Sequence, residues 1–178
     1  CWMFVVRRKV PMEIGLSLGS NLGDRLANLR EAAMRIAALA GVKLIASSPV
    51  YETEPVDVPA EFSDKPFLNA VAIVSSDLPI EELYGKLRTI EDDMGRRRGI
   101  ERNAPRPLDV DIIYAGTARV KTDKLIVPHP RWAERRFVAQ PLADLRPDLT
   151  LPGESRTVKE VLAALPARPA VRLLVSEL

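Results

Sequence analysis

Apolar residues alternate with small or polar ones through EIGLSLGS, Glu13 to Ser20, which predicts a strand running into a Gly/Ser/Asn turn. The period then changes. Leu26, Leu29, Ala33, Ile36 and Ala40 recur at helical spacing, with Asp24 as the cap and Gly41 as the stop. Val42 to Tyr51 reads as a second strand and Phe67 to Ser76 as a third, separated by a proline- and acid-rich loop, Glu52 to Pro66. Pro79 suits the first turn of a second helix, with Asp77 near its cap. Ile80, Leu83, Leu87, Ile90 and Met94 make its buried stripe, ended by Gly95. After an arginine-rich loop, PLDVDIIYAG, Pro107 to Gly116, predicts a fourth strand. The order β-α-β-β-α-β predicts an α+β, ferredoxin-like domain, an antiparallel sheet with helices on one face. The expected domain covers residues 12–165, with 1–11 as an N-terminal extension and 166–178 as a C-terminal tail. Thr157 to Leu165 offers one more helix inside an otherwise proline-broken stretch.

Composition narrows the class. The 178 residues suffice for one domain, and 47% of them are apolar, enough for a core. A net charge of +2 is no footprint for wholesale nucleic-acid binding. One cysteine, Cys1, excludes a disulfide framework within the chain and a CxxC zinc site, and fits a reducing, cytoplasmic setting. No apolar run approaches the roughly 18–20 residues of a membrane helix. CWMFVVRRKV places its basic residues after the apolar ones, the reverse of a secretory signal.

The chemistry concentrates in RNAPRPLDVDII, Arg102 to Ile113. Strand alternation puts Asp109 and Asp111 on one face and Leu108, Val110 and Ile112 on the other, core-facing one. Two carboxylates about 7 Å apart along a strand suit hard cations such as Mg²⁺, which favours few protein carboxylates plus phosphate oxygens. Asp-x-Asp alone is an ordinary pattern of a half-exposed strand. Arg96, Arg97, Arg98, Arg102 and Arg106 just before it tilt the reading toward a polyanion, because guanidinium forks grip phosphate bidentately. Gly15, Gly19 and Gly23 form neither a P-loop nor a dinucleotide fingerprint. His129, the sole histidine, lies between prolines and near Arg131, Arg135 and Arg136. It reads as an ordinary turn residue or as a hydrogen-bond donor to phosphate. Three function classes remain open on these residues. One is polyphosphate transfer, another a metal-dependent nucleotidyl or glycosyl transferase. The third is a non-catalytic RNA-binding module, disfavoured because aromatics are only 5% of the chain.

The gapped pattern in RNAPRPLDVDII resembles the signature of the 6-hydroxymethyl-7,8-dihydropterin pyrophosphokinase family. LSLGSNLGDRLANL, VYETEPV with FLNAV, and VPHPRWAERRF are similar to further family stretches, so the resemblance spans roughly Glu13 to Leu151. It implies a monomeric folate-synthesis enzyme with no nucleic-acid or membrane partner. The enzyme would move pyrophosphate from ATP to the pterin hydroxymethyl group, releasing AMP and using two Mg²⁺ ions. By motif, Asp109 and Asp111 would hold the metals, and Arg96 and Arg106 would contact the phosphates. Arg98, Lys124, His129 and Arg135 would line the ATP side. Thr53, Val56, Phe67, Asn69 and Phe137 would form the pterin pocket, two aromatic rings sandwiching the heterocycle. Asn103, Pro130 and Glu54 depart from residues common in the family.

Overall fold

In the computed structural model, residues 10–54, 65–96 and 104–178 are described. Strand β1 (Met12–Ser20) is the spine. It pairs antiparallel with β4 (Phe67–Ser76) on one side and β5 (Asp109–Ala115) on the other. β4 is flanked in turn by β2 (Val42–Ser47) along one half and β3 (Val50–Thr53) along the other. β8 (Val171–Val175) adds to β3, so the order is β5-β1-β4-β3-β8 with β2 on β4. A hairpin of β6 (Val120–Lys121) and β7 (Ile126–Val127) stands apart. Among the described residues, then, one antiparallel sheet carries the fold together with α1 (Arg25–Ala37), α2 (Ile80–Asp93), α3 (Arg136–Leu145) and α4 (Val158–Ala164).

The expected second strand comes in two pieces because Ser48 and Pro49 interrupt it. Pro49 has no N–H to give. Ser48 takes over the pairing: its N–H donates to the Val71 carbonyl and its Oγ accepts the Val71 N–H, each at 2.9 Å. Asp24 caps α1 as expected, accepting the Ala27 N–H at 3.0 Å. The helix stops at Ala37 rather than Ala40, and Gly41 leaves it at φ +80°, a conformation that costs a glycine little. α2 begins at Ile80, with Pro79 in the cap position and no side-chain cap from Asp77.

Helices cover both faces of the sheet, not one. α1 and α2 seal the first core, where Leu29, Ile36, Leu83 and Leu87 meet Ile14, Leu16, Leu18, Ala72, Val74, Val110 and Ile112. α3 and α4 build a second on the opposite face, with Trp132, Val138, Leu142, Val158 and Val161 against Val71, Ile73, Ile113 and Tyr114. Each fully buried Leu or Ile contributes about 1.5–3 kcal/mol, so neither layer is ornamental. A β-bulge supplies the change of facing: the register slips between Gly15 and Leu16, and adjacent residues Ile113 and Tyr114 both join the second core. The expected helix near Thr157 is α4, with a reciprocal capping box between Thr157 and Glu160. Two charged anchors tie α3 down. Tyr51 Oη donates to Asp144 at 2.6 Å, and Arg146 grips Glu13 through Nε at 3.1 Å and Nη2 at 2.9 Å.

Candidate functional site

The second-core face is covered by α3 and α4 at one end only. At the other it opens into a cavity of about 490 Å³. Its floor follows from register. Gly19 of β1 lies between Asp109 of β5 and Asn69 of β4, and Ser17 lies opposite Asp111 and Val71. With strands about 4.8 Å apart, the row Asp109–Gly19–Asn69 spans about 10 Å. Gly19 has no side chain to fill the middle of that row. A Cβ there would come 3.3 Å from Asn69 Oδ1 and 3.9 Å from Asp109 Cβ, so the glycine leaves a trough from acid to amide.

One end of the trough is ionic. Asp109 is ion-paired with Arg96, and its Oδ2 lies 2.6 Å from Arg106 Nη2. Burial alone would raise its carboxyl, but Arg106 and Arg96 together hold it below the ordinary carboxylate range. Asp111 differs. Its nearer basic groups stand back, Arg88 Nη2 at 3.6 Å and His129 Nε2 at 3.9 Å, and burial together with the charge of Asp109 pushes its carboxyl up. Burial, reinforced by Arg135 and Arg131, lowers the His129 imidazole despite the pull of Asp111. His129 Nδ1 accepts the Arg131 N–H at 3.1 Å, which leaves the proton of the neutral ring on Nε2, facing Asp111.

The other end carries two aromatic rings and a buried amide. Phe67 and Phe137 both line the cavity, with the Arg106 and Arg135 guanidinium carbons 5.5 and 5.7 Å from their respective ring centres. Asn69, 4% exposed, donates from Nδ2 to Thr53 Oγ1 at 2.7 Å, and Thr53 is itself buried. That bond fixes which way the amide faces.

Of the residues singled out from sequence, Thr53, Phe67, Asn69, Arg106, Asp109, Asp111, His129, Arg135 and Phe137 line this one cavity. Arg96 sits just behind it, held by Asp109 and by Glu91 at 2.5 Å. Lys124 does not join them; it is exposed in the turn between β6 and β7, because Thr122 and Leu125 close that turn on themselves. Val56, Arg98 and Asn103 lie outside the described residues. Sequence reasoning missed Gly19, Arg131 and Pro169 on the cavity wall, and Arg88 and Glu91 behind it. Glu91 did leave a signal: it continues the buried stripe of α2 one turn beyond Leu87, where an acid is out of place.

The cavity thus joins a carboxylate pair, cationic side chains and two aromatic rings; comparison with known proteins identifies the family independently of it. The profile of the 7,8-dihydro-6-hydroxymethylpterin-pyrophosphokinase (HPPK) family matches residues 15–147. The chain is 48% identical over 134 residues to the mitochondrial folate synthesis bifunctional protein of Arabidopsis thaliana, covering 75% of this chain and 23% of that protein. It thus spans about a quarter of the length of such plant relatives. It is 39% identical over 159 residues to the 2-amino-4-hydroxy-6-hydroxymethyldihydropteridine pyrophosphokinase of Pseudomonas aeruginosa, covering 89% of this chain and 94% of that protein. In fold it is similar to the crystal structure of Plasmodium falciparum HPPK-DHPS, with a TM-score of 0.66 at 12% identity, over 90% of this chain and 44% of that one. With the family profile spanning most of its length and a bacterial relative aligned almost end to end, the chain belongs to the 7,8-dihydro-6-hydroxymethylpterin-pyrophosphokinase family.

Proposed function

We propose that the chain transfers the terminal pyrophosphoryl group of ATP to the hydroxymethyl oxygen of 6-hydroxymethyl-7,8-dihydropterin, giving AMP and the pterin pyrophosphate in folate synthesis. The observation that carries this reading is the row Asp109–Gly19–Asn69, which sets an acidic pair and an amide reader about 10 Å apart in one trough. That is room for a polyphosphate at one end and a heterocycle at the other.

The donor set fits Mg²⁺. Asp111 presents a carboxylate whose nearer basic groups, Arg88 and His129, stay beyond hydrogen-bond contact, beside an Asp109 already ionised. Asp109 and Asp111 would hold two such ions, which when bound supply charge neutralisation to the phosphates. Arg106 and Arg96 would turn from Asp109 to the transferred group, and His129 would donate from Nε2 to a phosphate oxygen. Arg135, with Arg98 and Lys124, would serve the nucleotide side. Phe67 and Phe137 would hold the pterin between them, and Asn69, oriented by Thr53, would read its edge beside Val56.

The pterin hydroxymethyl oxygen then attacks the β-phosphorus in line. The new O–P bond forms as the bond to the α-phosphate oxygen breaks, and the hydroxyl proton leaves to solvent. The residues act by placement and charge, with no general base among them. We read the strand order as ferredoxin-like, and the enzyme as a cytoplasmic monomer without nucleic-acid or membrane partners. No helix among the described residues is long and apolar enough to cross a membrane. Incubation with Mg-ATP and 6-hydroxymethyl-7,8-dihydropterin should yield AMP and pterin pyrophosphate in equal amounts. ADP as the nucleotide product, or no turnover, would refute the assignment.

A further inference from the structure

Glu91 is 0% exposed, and an acid so placed needs partners. They come from both sides. Arg88 Nη1 lies 2.7 Å from Glu91 Oε2, and Arg96 Nη1 lies 2.5 Å from Oε1. The same Oε1 accepts the Val110 N–H at 2.7 Å, while Arg88 Nη2 donates to the Val110 carbonyl at 2.8 Å. Val110 is the residue between Asp109 and Asp111.

This arrangement follows from the sheet. β5 has no strand on its outer side among the described residues. In a strand, one residue's N–H and C=O point the same way, so Val110 turns both outward, where a missing neighbour would have met them. Glu91 supplies the acceptor and Arg88 the donor. The pair, one turn of α2 apart, does the work of a short strand at this single position. Further along, the Ile113 carbonyl finds the His129 N–H at 2.8 Å.

We propose that Arg88 and Glu91 are positioning residues that clamp Val110 and thereby hold the spacing and aim of the Asp109 and Asp111 carboxylates for divalent cations. Neither residue needs to touch a substrate. The inference rests on the assignment of those aspartates to metal in the functional reading above.

Geometry and simple charge make opposite forecasts for Arg88→Met. The substitution removes a positive charge 3.6 Å from Asp111, so Coulomb's law alone would tighten cation binding. Loss of the clamp would weaken it. Arg88→Gln, equally neutral and too short to span Glu91 and Val110, is the second variant should Arg88→Met not fold. Mn²⁺ is titrated by electron paramagnetic resonance, alone and with a non-hydrolysable ATP analogue. Exchange of the Val110 amide is followed by NMR, and pterin binding by calorimetry. We expect Mn²⁺ affinity to fall at least fivefold and Val110 protection at least tenfold, with pterin affinity within twofold of wild type. A folded variant that binds Mn²⁺ as well as or better than wild type overturns the proposal, and so does a parallel loss of pterin binding. Failure of the wild type to form AMP would sink the functional reading instead, leaving the Mn²⁺ and Val110 results to judge the clamp.

Discussion

Thr53→Val tests the apolar end of the trough with a nearly isosteric change. In the native protein Asn69 Nδ2 donates to Thr53 Oγ1 at 2.7 Å, with Thr53 and Asn69 only 2% and 4% exposed. Valine replaces the hydroxyl by a methyl and strands a buried amide donor, at a cost of about 1–3 kcal/mol. In a chain of this size a loss of about 2 kcal/mol lowers the melting temperature by roughly 4–8 °C. The amide also loses the contact that fixes its facing. If Asn69 reads the pterin edge, one net hydrogen bond of about 0.5–1.5 kcal/mol is at stake, or roughly a 2- to 13-fold loss of pterin affinity. Binding of Mg-ATP, about 10 Å away at the ionic end, should stay at the wild-type value. Thermal scans and separate titrations with the two ligands check all three numbers. A melting temperature within about 1 °C of wild type would show that the hydrogen bond does not matter. A lowered melting temperature with unchanged pterin affinity would remove Asn69 from recognition.

Asp111→Asn keeps shape and removes a carboxylate whose nearest cation among the described residues, Arg88, stands 3.6 Å off, beyond hydrogen-bond contact; turnover should drop by orders of magnitude while the melting temperature of the free protein does not fall, as steady-state kinetics and a thermal scan would establish. Glu13 is held below its ordinary value of 4.5, first by the Arg146 hydrogen bond, so its contribution is present above that pH and lost as pH falls through the lower folded value. The stability difference between wild type and Glu13→Gln should therefore be largest near neutrality and shrink in denaturant melts run below pH 4.5. Gly15→Ala drives a methyl into the Tyr114 ring, whose Cδ1 would be 2.7 Å away, and should cost about 1–3 kcal/mol; Gly15→Ala with Tyr114→Leu should recover part of it, and no recovery would mean the clash is not the cause.

The first core was legible because its helices keep strict periodicity: Ile80, Leu83, Leu87 and Ile90 could hardly mean anything but a buried face. The acidic pair was legible for the complementary reason, two charges at strand spacing in an apolar run. The second core was not. Pro141 sits inside α3, where a local rule expects a break, yet Val138 and Leu142 on either side are buried and hold the helix against the sheet. VRLLV, Val171 to Val175, lacks alternation because β8 is an edge strand poorly covered on both faces, with Leu173 62% and Leu174 46% exposed. Gly19 shows in the sequence only as part of a glycine spacing; its meaning is cross-strand, set by Asn69 and Asp109, about 50 and 90 residues along the chain respectively. Arg88 and Glu91 are ordinary helix residues until β5 is laid beside them.

The two faces of the sheet are completed at different times as the chain is made. Nearly all the buried residues of the first core lie before Val127, whereas Trp132, Val138, Leu142, Leu151, Val158 and Val161 all come later. During synthesis from the N-terminus, at about 5–20 residues per second, the spine strands can close over α1 and α2 while Val71, Ile73, Ile113 and Tyr114 still face water. For those few seconds the nascent chain presents an apolar sheet surface of the kind chaperones hold. Phe137 and Arg135 arrive with the same late segment that covers it, so the cavity gains its last walls only as that surface disappears. The finished cavity and the cover over the apolar sheet face thus come from the same stretch of polypeptide.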